Sequence, residues 1–235
     1  MNPMFYQNPV ALNEKEHRDW KIEAVEDYTF AKKTNSVYLM SAEFVLASKV
    51  YPIIFIRNDN AVVPIALLSL QEDNNQFVAP KEGKGAWNAD YIPAYVRRYP
   101  FIPANKKDGE KLILCIDSEY KGLNSRKAKQ SLFDKDGKPD VVVKKAVNLL
   151  ESYNVENQKT IDFCKIIDDL GLFENAQVED PSLKSDNVKL TGFLHISHKK
   201  FTELNTETVK SLFDSGALEF IYAHFQSLVN LKNLD

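Results

Sequence analysis

The residues best equipped for chemistry in this chain are two adjacent arginines, Arg97 and Arg98, set in a run of aromatics and prolines. The run reads Trp87-Asn88-Ala89-Asp90-Tyr91-Ile92-Pro93-Ala94-Tyr95-Val96-Arg97-Arg98-Tyr99-Pro100-Phe101-Ile102-Pro103. A guanidinium is a planar fork of N–H donors that grips a carboxylate or phosphate bidentately. Beside it, Trp87, Tyr91, Tyr95 and Tyr99 offer rigid amphipathic area of the kind used on peptide-binding surfaces. The chemistry implied is recognition of an anionic group. The same residues allow a second reading, in which one arginine pairs with Asp117 at the core edge and the other is solvated. In that reading the tyrosines are core, and Arg98 is the more exposed arginine.

Other reactive side chains are few. His224 falls on the apolar stripe of the last helical segment, where a hydrogen-bonded core histidine is the default and a general base the alternative. Asp117 and Glu119 close an apolar strand, where carboxylates are usually solvated. An enzyme using His224 with Asp117 or Glu119 is therefore the competing reading. His195, on an alternating strand, has a surface role. No metal site is expected, because no His-x-x-x-His, Cys-x-x-Cys or His-Glu-x-x-His spacing occurs. No phosphate loop, nucleophile elbow or dinucleotide fingerprint occurs either, so no cofactor is expected. Cys115 and Cys164, the only cysteines, lie in apolar runs and read as two buried thiols of a reducing compartment.

The elements that must position these groups follow from periodicity. Pro93 opens a short helical turn and Pro100 closes it, and Tyr91, Tyr95 and Tyr99 would share one face if the helix ran through all three. Tyr51 to Arg57 is a strand, apolar on both faces and so central. After the turn Asn58-Asp59-Asn60, Ala61 to Leu70 returns as a hairpin arm, with Pro64 arguing for an edge or a bulge. Gln76 to Ala79 is a third strand, Lys81 to Gly85 a loop, and Lys111 to Asp117 the clearest strand of all. Trp20, Ile22 and Val25 mark a short extended segment docked on the core. Ser41 is expected to cap a helix carrying Glu43 in its first turn. Residues 120–139 are a polar connection holding Leu132-Phe133.

Helical spacing begins after Pro139 with Val143, Ala146, Val147 and Leu150. It resumes with Ile161, Cys164, Ile167 and Leu170, to be stopped by Gly171. Two helices broken near Asn154 are expected. Glu174 to Asn187 is polar and loop-like, the best candidate for an internal boundary within 174–187. Val188 to Ile196 alternates as a strand, Asn205 caps a short helix, and Ala217 to Leu231 forms the last. Antiparallel strands first and helices later give an α+β fold, mostly antiparallel sheet with a helical C-terminal half, in one domain over 1–235.

Composition bounds the partners. With 44% hydrophobic and 27% charged residues among 235, the chain can build a sizeable core. A formal charge of −3 gives no electrostatic case for nucleic acid. No run approaches the roughly 20 apolar residues of a membrane helix, and Met1 to Leu12 lacks the form of a Sec signal, so a cytoplasmic protein is expected. Export by a C-terminal signal stays open.

Several stretches together resemble the SapC family, bacterial proteins named for an association with paracrystalline surface layers. They are Tyr51-Pro52-Ile53-Ile54-Phe55, Tyr91 through Phe101, Ile116-Asp117, Leu132-Phe133 before Gly137, Thr160 with Phe163, and Tyr222-Ala223-His224 with Ser227 and Leu228. The resemblance runs from about Ala42 to Leu231, and Arg97-Arg98-Tyr99-Pro100-Phe101 is its most specific block. It implies a surface-layer association and supplies no reaction, cofactor or catalytic residue. The family pattern often has Asp-Glu where this chain reads Asp117-Ser118. A lattice subunit would commonly be long, acidic, β-rich and free of cysteine. This chain fits better as a non-catalytic cytoplasmic accessory or binding protein for a protein or peptide partner, with an exported surface-layer component as a further alternative.

Overall fold

A computed structural model describes residues 3–58, 61–104, 113–179 and 188–235. Numbered along the chain, the strands are β1 (Pro9–Ala11), β2 (Lys21–Ile22), β3 (Ser36–Tyr38), β4 (Ile53–Asn58), β5 (Ala61–Leu67) and β6 (Val78–Lys81), then β7 (Lys84–Trp87), β8 (Phe101–Ala104), β9 (Ile113–Asp117), β10 (Gln130–Ser131), β11 (Phe173–Glu179) and β12 (Val188–Ile196). The helices are α1 (Glu14–His17), α2 (Phe44–Ala47), α3 (Ala94–Arg97), α4 (Val141–Asp169), α5 (His198–Thr202), α6 (Thr206–Asp214) and α7 (Ala217–Ser227). The fold is α+β with antiparallel sheets and the long helices towards the C-terminus.

The main sheet has five antiparallel strands in the order β11-β12-β4-β5-β3. It is covered on both faces, which is why β4 is apolar without alternation. Phe55 packs with Phe44, Phe163 and Ile167, while Ile54 packs on the other side with Ile65, Phe193 and Leu234. The second layer closes with the C-terminal 3-10 turn Leu228–Asn233, which contributes Leu228 and Leu231. Asn58 pairs with Ala61, as a hairpin requires, and residues 59 and 60 of the expected turn lie outside the described residues.

Pro64 does not put β5 at an edge, because β5 lies between β4 and β3. The proline is tolerated by position. Its carbonyl accepts from Leu39 N, so its nitrogen also faces the β3 side, just past the point where β3 ends at Tyr38. The third strand is displaced to Val78–Lys81, and Lys81 to Gly85 is not a loop but the turn and return arm of a hairpin with β7. Glu82 and Gly83 both take positive φ there (51° and 78°), the backbone of a tight hairpin turn.

Two larger differences concern the C-terminal half. Residues 141–169 form one helix, α4, continuous through Asn154. Its 29 residues span about 44 Å. Asp140 caps it by accepting from Val141 N, and Gly171, in left-handed conformation at φ 65°, ends it as expected. The inward set in its second half is Thr160, Phe163, Cys164 and Ile167, with Ile161 exposed. The polar segment after it is not loop-like at its start: residues 173–179 form edge strand β11, paired with β12. Residues 180–187, the rest of the expected boundary, lie outside the described residues. A second cluster gathers Ile22, Phe101, Ile116, Leu132, Val143, Ala146 and Leu150, tying the first half of α4 to the three-stranded sheet β1-β9-β8.

Candidate functional site

The aromatic–arginine run folds around a single helical turn. Pro93 takes the N-cap position of α3 and the turn gives out at Arg98, followed by a cis Tyr99–Pro100 peptide and then β8. One turn is too short to carry three tyrosines on one face, so they splay apart. The Tyr91 hydroxyl donates to Glu43 Oε1 at 2.7 Å. Tyr95 meets Tyr38 and Phe5 edge-on, and Tyr99 stacks on Phe30 at 4.1 Å. The half-buried Trp87 donates through Nε1 to the Tyr51 hydroxyl at 2.9 Å, and Tyr51 in turn donates to the Tyr91 carbonyl. Trp87 and Tyr91 thus belong to one hydrogen-bonded corner.

Glu43 holds that corner in place. It is buried, yet its carboxylate accepts from Tyr91 Oη, Ala94 N (2.7 Å) and Met40 N (3.0 Å). Met40, rather than Ser41, stands at the cap of this 3-10 turn, and Glu43 reaches back to its amide. The Ser41 amide instead donates to Thr160 Oγ1 on α4, at 2.9 Å. The first turn of α3 is therefore hung from a carboxylate about 50 residues earlier, which no local signal in the arginine run reveals.

The two arginines part company, in the opposite sense to the expectation. Arg97 is exposed, its Nε donates to the Ile92 carbonyl at 2.9 Å, and its guanidinium lies 5.8 Å from the Tyr91 ring. Arg98 is the buried one, only 8% exposed. Its guanidinium carbon sits 3.8 Å from the centre of the Tyr95 ring and 5.2 Å from that of Tyr153. Among the described residues its Nε has no hydrogen-bond partner. Burial pushes the hydroxyls of Tyr6, Tyr95 and Tyr153 upward in pKa, and in each the Arg98 charge partly offsets that rise, so all three stand around the cation. Sequence reasoning missed Tyr6 and Tyr153. Tyr153 was legible: continuing the inward spacing of Ala146 and Leu150 by three reaches it.

Asp117 is not the arginine's partner. It is fully buried, and its oxygens accept from Gln7 N (3.0 Å), Asn8 N (2.9 Å) and Glu119 N (3.2 Å), with the Tyr99 hydroxyl 3.4 Å away. It fastens the N-terminal segment to the end of β9. The Glu119 side chain is exposed and lines a different depression, with Gln7, Asp27 and Lys121. His224 lies elsewhere, fully buried against Phe55. Its Nδ1 bonds the Ile53 carbonyl at 2.9 Å and its Nε2 accepts from Ile196 N at 3.1 Å, so the ring is a neutral latch joining β4, β12 and α7. Burial depresses its pKa to about 4. His224 is not brought to Asp117 or Glu119, and both its nitrogens are occupied. Among the described residues, no group of three or more His, Cys, Asp or Glu is placed to hold a metal.

Cys115 and Cys164 are free, buried thiols in separate clusters. Burial raises both, Cys164 to about 12. Thiolate is the reactive form, so neither should react with a maleimide in the native protein, whereas unreduced protein in denaturant should yield two thiols. A count of zero in denaturant would mean a disulfide and overturn the assignment. Cys164→Ala should cost about 1–2 kcal/mol through lost packing.

Arg97, Arg98 and Lys145 border a cleft of about 190 Å³. Its walls are the apolar side chains of Ile22, Val25, Val142, Leu149 and Leu150, and Glu23 is the one acid among the described residues that line it. For scale, an apolar cavity of about 150 Å³ accommodates benzene. The arrangement sets a desolvated cation beside a greasy slot. Among the described residues that line it, no nucleophile stands beside a base.

Comparison with known proteins places the chain. No curated protein and no solved structure matches it. The SapC family model matches residues 12–234, a span that takes in the Glu43 corner, the arginine turn, Asp117, Tyr153 and His224, so the chain belongs to the SapC family.

Proposed function

We propose that this SapC-family chain is a non-catalytic binding protein for a protein or peptide partner, and that the turn from Trp87 to Pro103 carries the contact. The observation behind the reading is the Arg98 guanidinium, buried beside an apolar cleft with its Nε unpaired among the described residues. Recognition fits this site better than bond making. The groups with acid–base capacity, His224 and Asp117, are buried with their polar atoms taken up by backbone partners. The protein acts in the cytoplasm as an accessory to a surface-layer or secretion system. Its two unpaired cysteines accord with a reducing compartment.

Selection of random peptides on the immobilised protein tests the binding role. A shared sequence should emerge on the wild type and bind the Arg97→Glu variant at least tenfold more weakly, because Arg97 is exposed at the cleft and its reversal should spare the fold. Repeated rounds without any shared sequence would overturn the reading. Fractionation of cells tests the compartment, and recovery mainly in a surface wash would defeat it.

A further inference from the structure

The most unusual group in the molecule is Arg98. Removing a guanidinium from water is expensive unless its donors are satisfied, and buried arginines are ordinarily matched by a carboxylate. Among the described residues no such pairing forms. Glu43 is near enough to act on Tyr153, as Arg98 does, but its oxygens already accept from Met40 N, Ala94 N and Tyr91 Oη. What Arg98 has instead are two aromatic rings, Tyr95 and Tyr153, with the hydroxyls of Tyr6 and Tyr95 within hydrogen-bonding reach of its guanidinium. Rings engage the face of a guanidinium, whereas its five N–H bonds lie in its plane and point outward from the edge. Stacking and these hydroxyls therefore satisfy the cation in part and leave Nε for an in-plane acceptor. Among the described residues it has none.

Arg98 borders the cleft walled by Ile22, Val25, Val142, Leu149 and Leu150. An acceptor entering there must also bury an apolar body. Two further cations, Arg97 and Lys145, against Glu23, the single acid among the described residues that line it, leave the cleft net positive. A doubly charged phosphate would need more donors than a mostly aliphatic slot offers, whereas one carboxylate matches one guanidinium fork.

We infer that this cleft binds a carboxylate carried on a branched aliphatic group, the C-terminal carboxylate of a partner chain ending in a residue such as leucine. The inference rests on the peptide-binding reading and names the end of the peptide that is read. Arg98 takes the carboxylate edge-on through Nε, and the terminal side chain lies against Leu149 and Val142. A free branched-chain acid carries the same chemistry without the peptide.

Calorimetric titration separates the cases. The probes are N-acetyl-leucine, its amide, 4-methylpentanoate, and the tetrapeptide acetyl-Ala-Ala-Ala-Leu as free acid and as amide. The acids should bind, and each amide should bind at least tenfold more weakly. Arg98→Lys, which keeps the charge and loses the planar fork, should remove that discrimination. Leu149→Trp, which fills the cleft and leaves Arg98 in place, should abolish binding of the acids and stands in should the arginine variant fail to fold. Equal affinity for acid and amide, binding that survives Leu149→Trp, or no binding of any acid would each overturn the inference. A tetrapeptide acid tighter than N-acetyl-leucine identifies a peptide terminus. 4-Methylpentanoate tightest of all would support the cleft chemistry and defeat the peptide-binding reading. Selected peptides that bind equally well with amidated ends would defeat the inference and spare that reading.

Discussion

Asp117→Asn is expected to lower the unfolding free energy by about 3 kcal/mol, since hydrogen bonds to a charged group contribute about 1.5–3 kcal/mol each. The carboxylate accepts from three backbone amides, at Gln7, Asn8 and Glu119. Asparagine keeps one acceptor and turns an NH2 group towards an N–H donor, so at least one amide is left unsatisfied in a fully buried site. Arg97→Lys, on an exposed side chain, should stay within about 0.5 kcal/mol of wild type. Urea unfolding followed by tryptophan fluorescence measures both. Had an arginine been the partner of Asp117, removing either member would have cost a similar amount. A loss below about 1 kcal/mol for Asp117→Asn would mean that the N-terminal segment is held by something other than this carboxylate.

The second large effect is one of pH and belongs to His224. Its ordinary pKa of 6.5 falls to about 4 in the folded chain, chiefly through burial. The unfolded chain therefore binds a proton at a pH where the folded chain refuses it. The resulting stability is fully present above pH 6.5 and is lost as pH falls from 6.5 towards 4. At 1.36 kcal/mol for each pKa unit the whole loss approaches about 3 kcal/mol. Stability measured between pH 7 and pH 4.5 should fall accordingly in wild type. His224→Gln should be less stable at pH 7 and flatter over the same window. Parallel profiles for the two proteins would show that His224 is not the group that titrates.

Much of the fold is legible in the sequence where local physics decides. Pro93 begins the α3 turn, Asn205 caps α6, Gly171 ends α4, and β4 is central because it is apolar on both sides. What is lost is decided by distant partners. Arg97 and Arg98 differ by about 100° around one helical turn, and only the arrival of Tyr153 from α4, 55 positions later, selects Arg98 as the buried one. Edge strand β11 reads as a loop because an edge carries polar residues such as Glu174 and Asn175 without losing its pairing. The apparent break in α4 is a stretch where Tyr153 alone packs against an apolar cluster, so the stripe thins while the backbone bonding continues. Glu43 escapes notice because a lone glutamate in a first turn looks like ordinary dipole compensation.

Helix α4 is held in common by two clusters that otherwise share little: Val143, Ala146 and Leu150 serve one, and Phe163, Cys164 and Ile167 the other. Neither can come apart alone without stripping half of a helix whose remaining half is still packed. Opening of the two is therefore coupled, and the slowest-exchanging backbone amides of both should report a single free energy, that of global unfolding. Tyr153 stands where the two halves meet and brings Arg98 to the joint. An occupant of the cleft would raise that shared free energy by RT ln(1 + [L]/Kd) and slow amide exchange as far away as Ile167, without touching it.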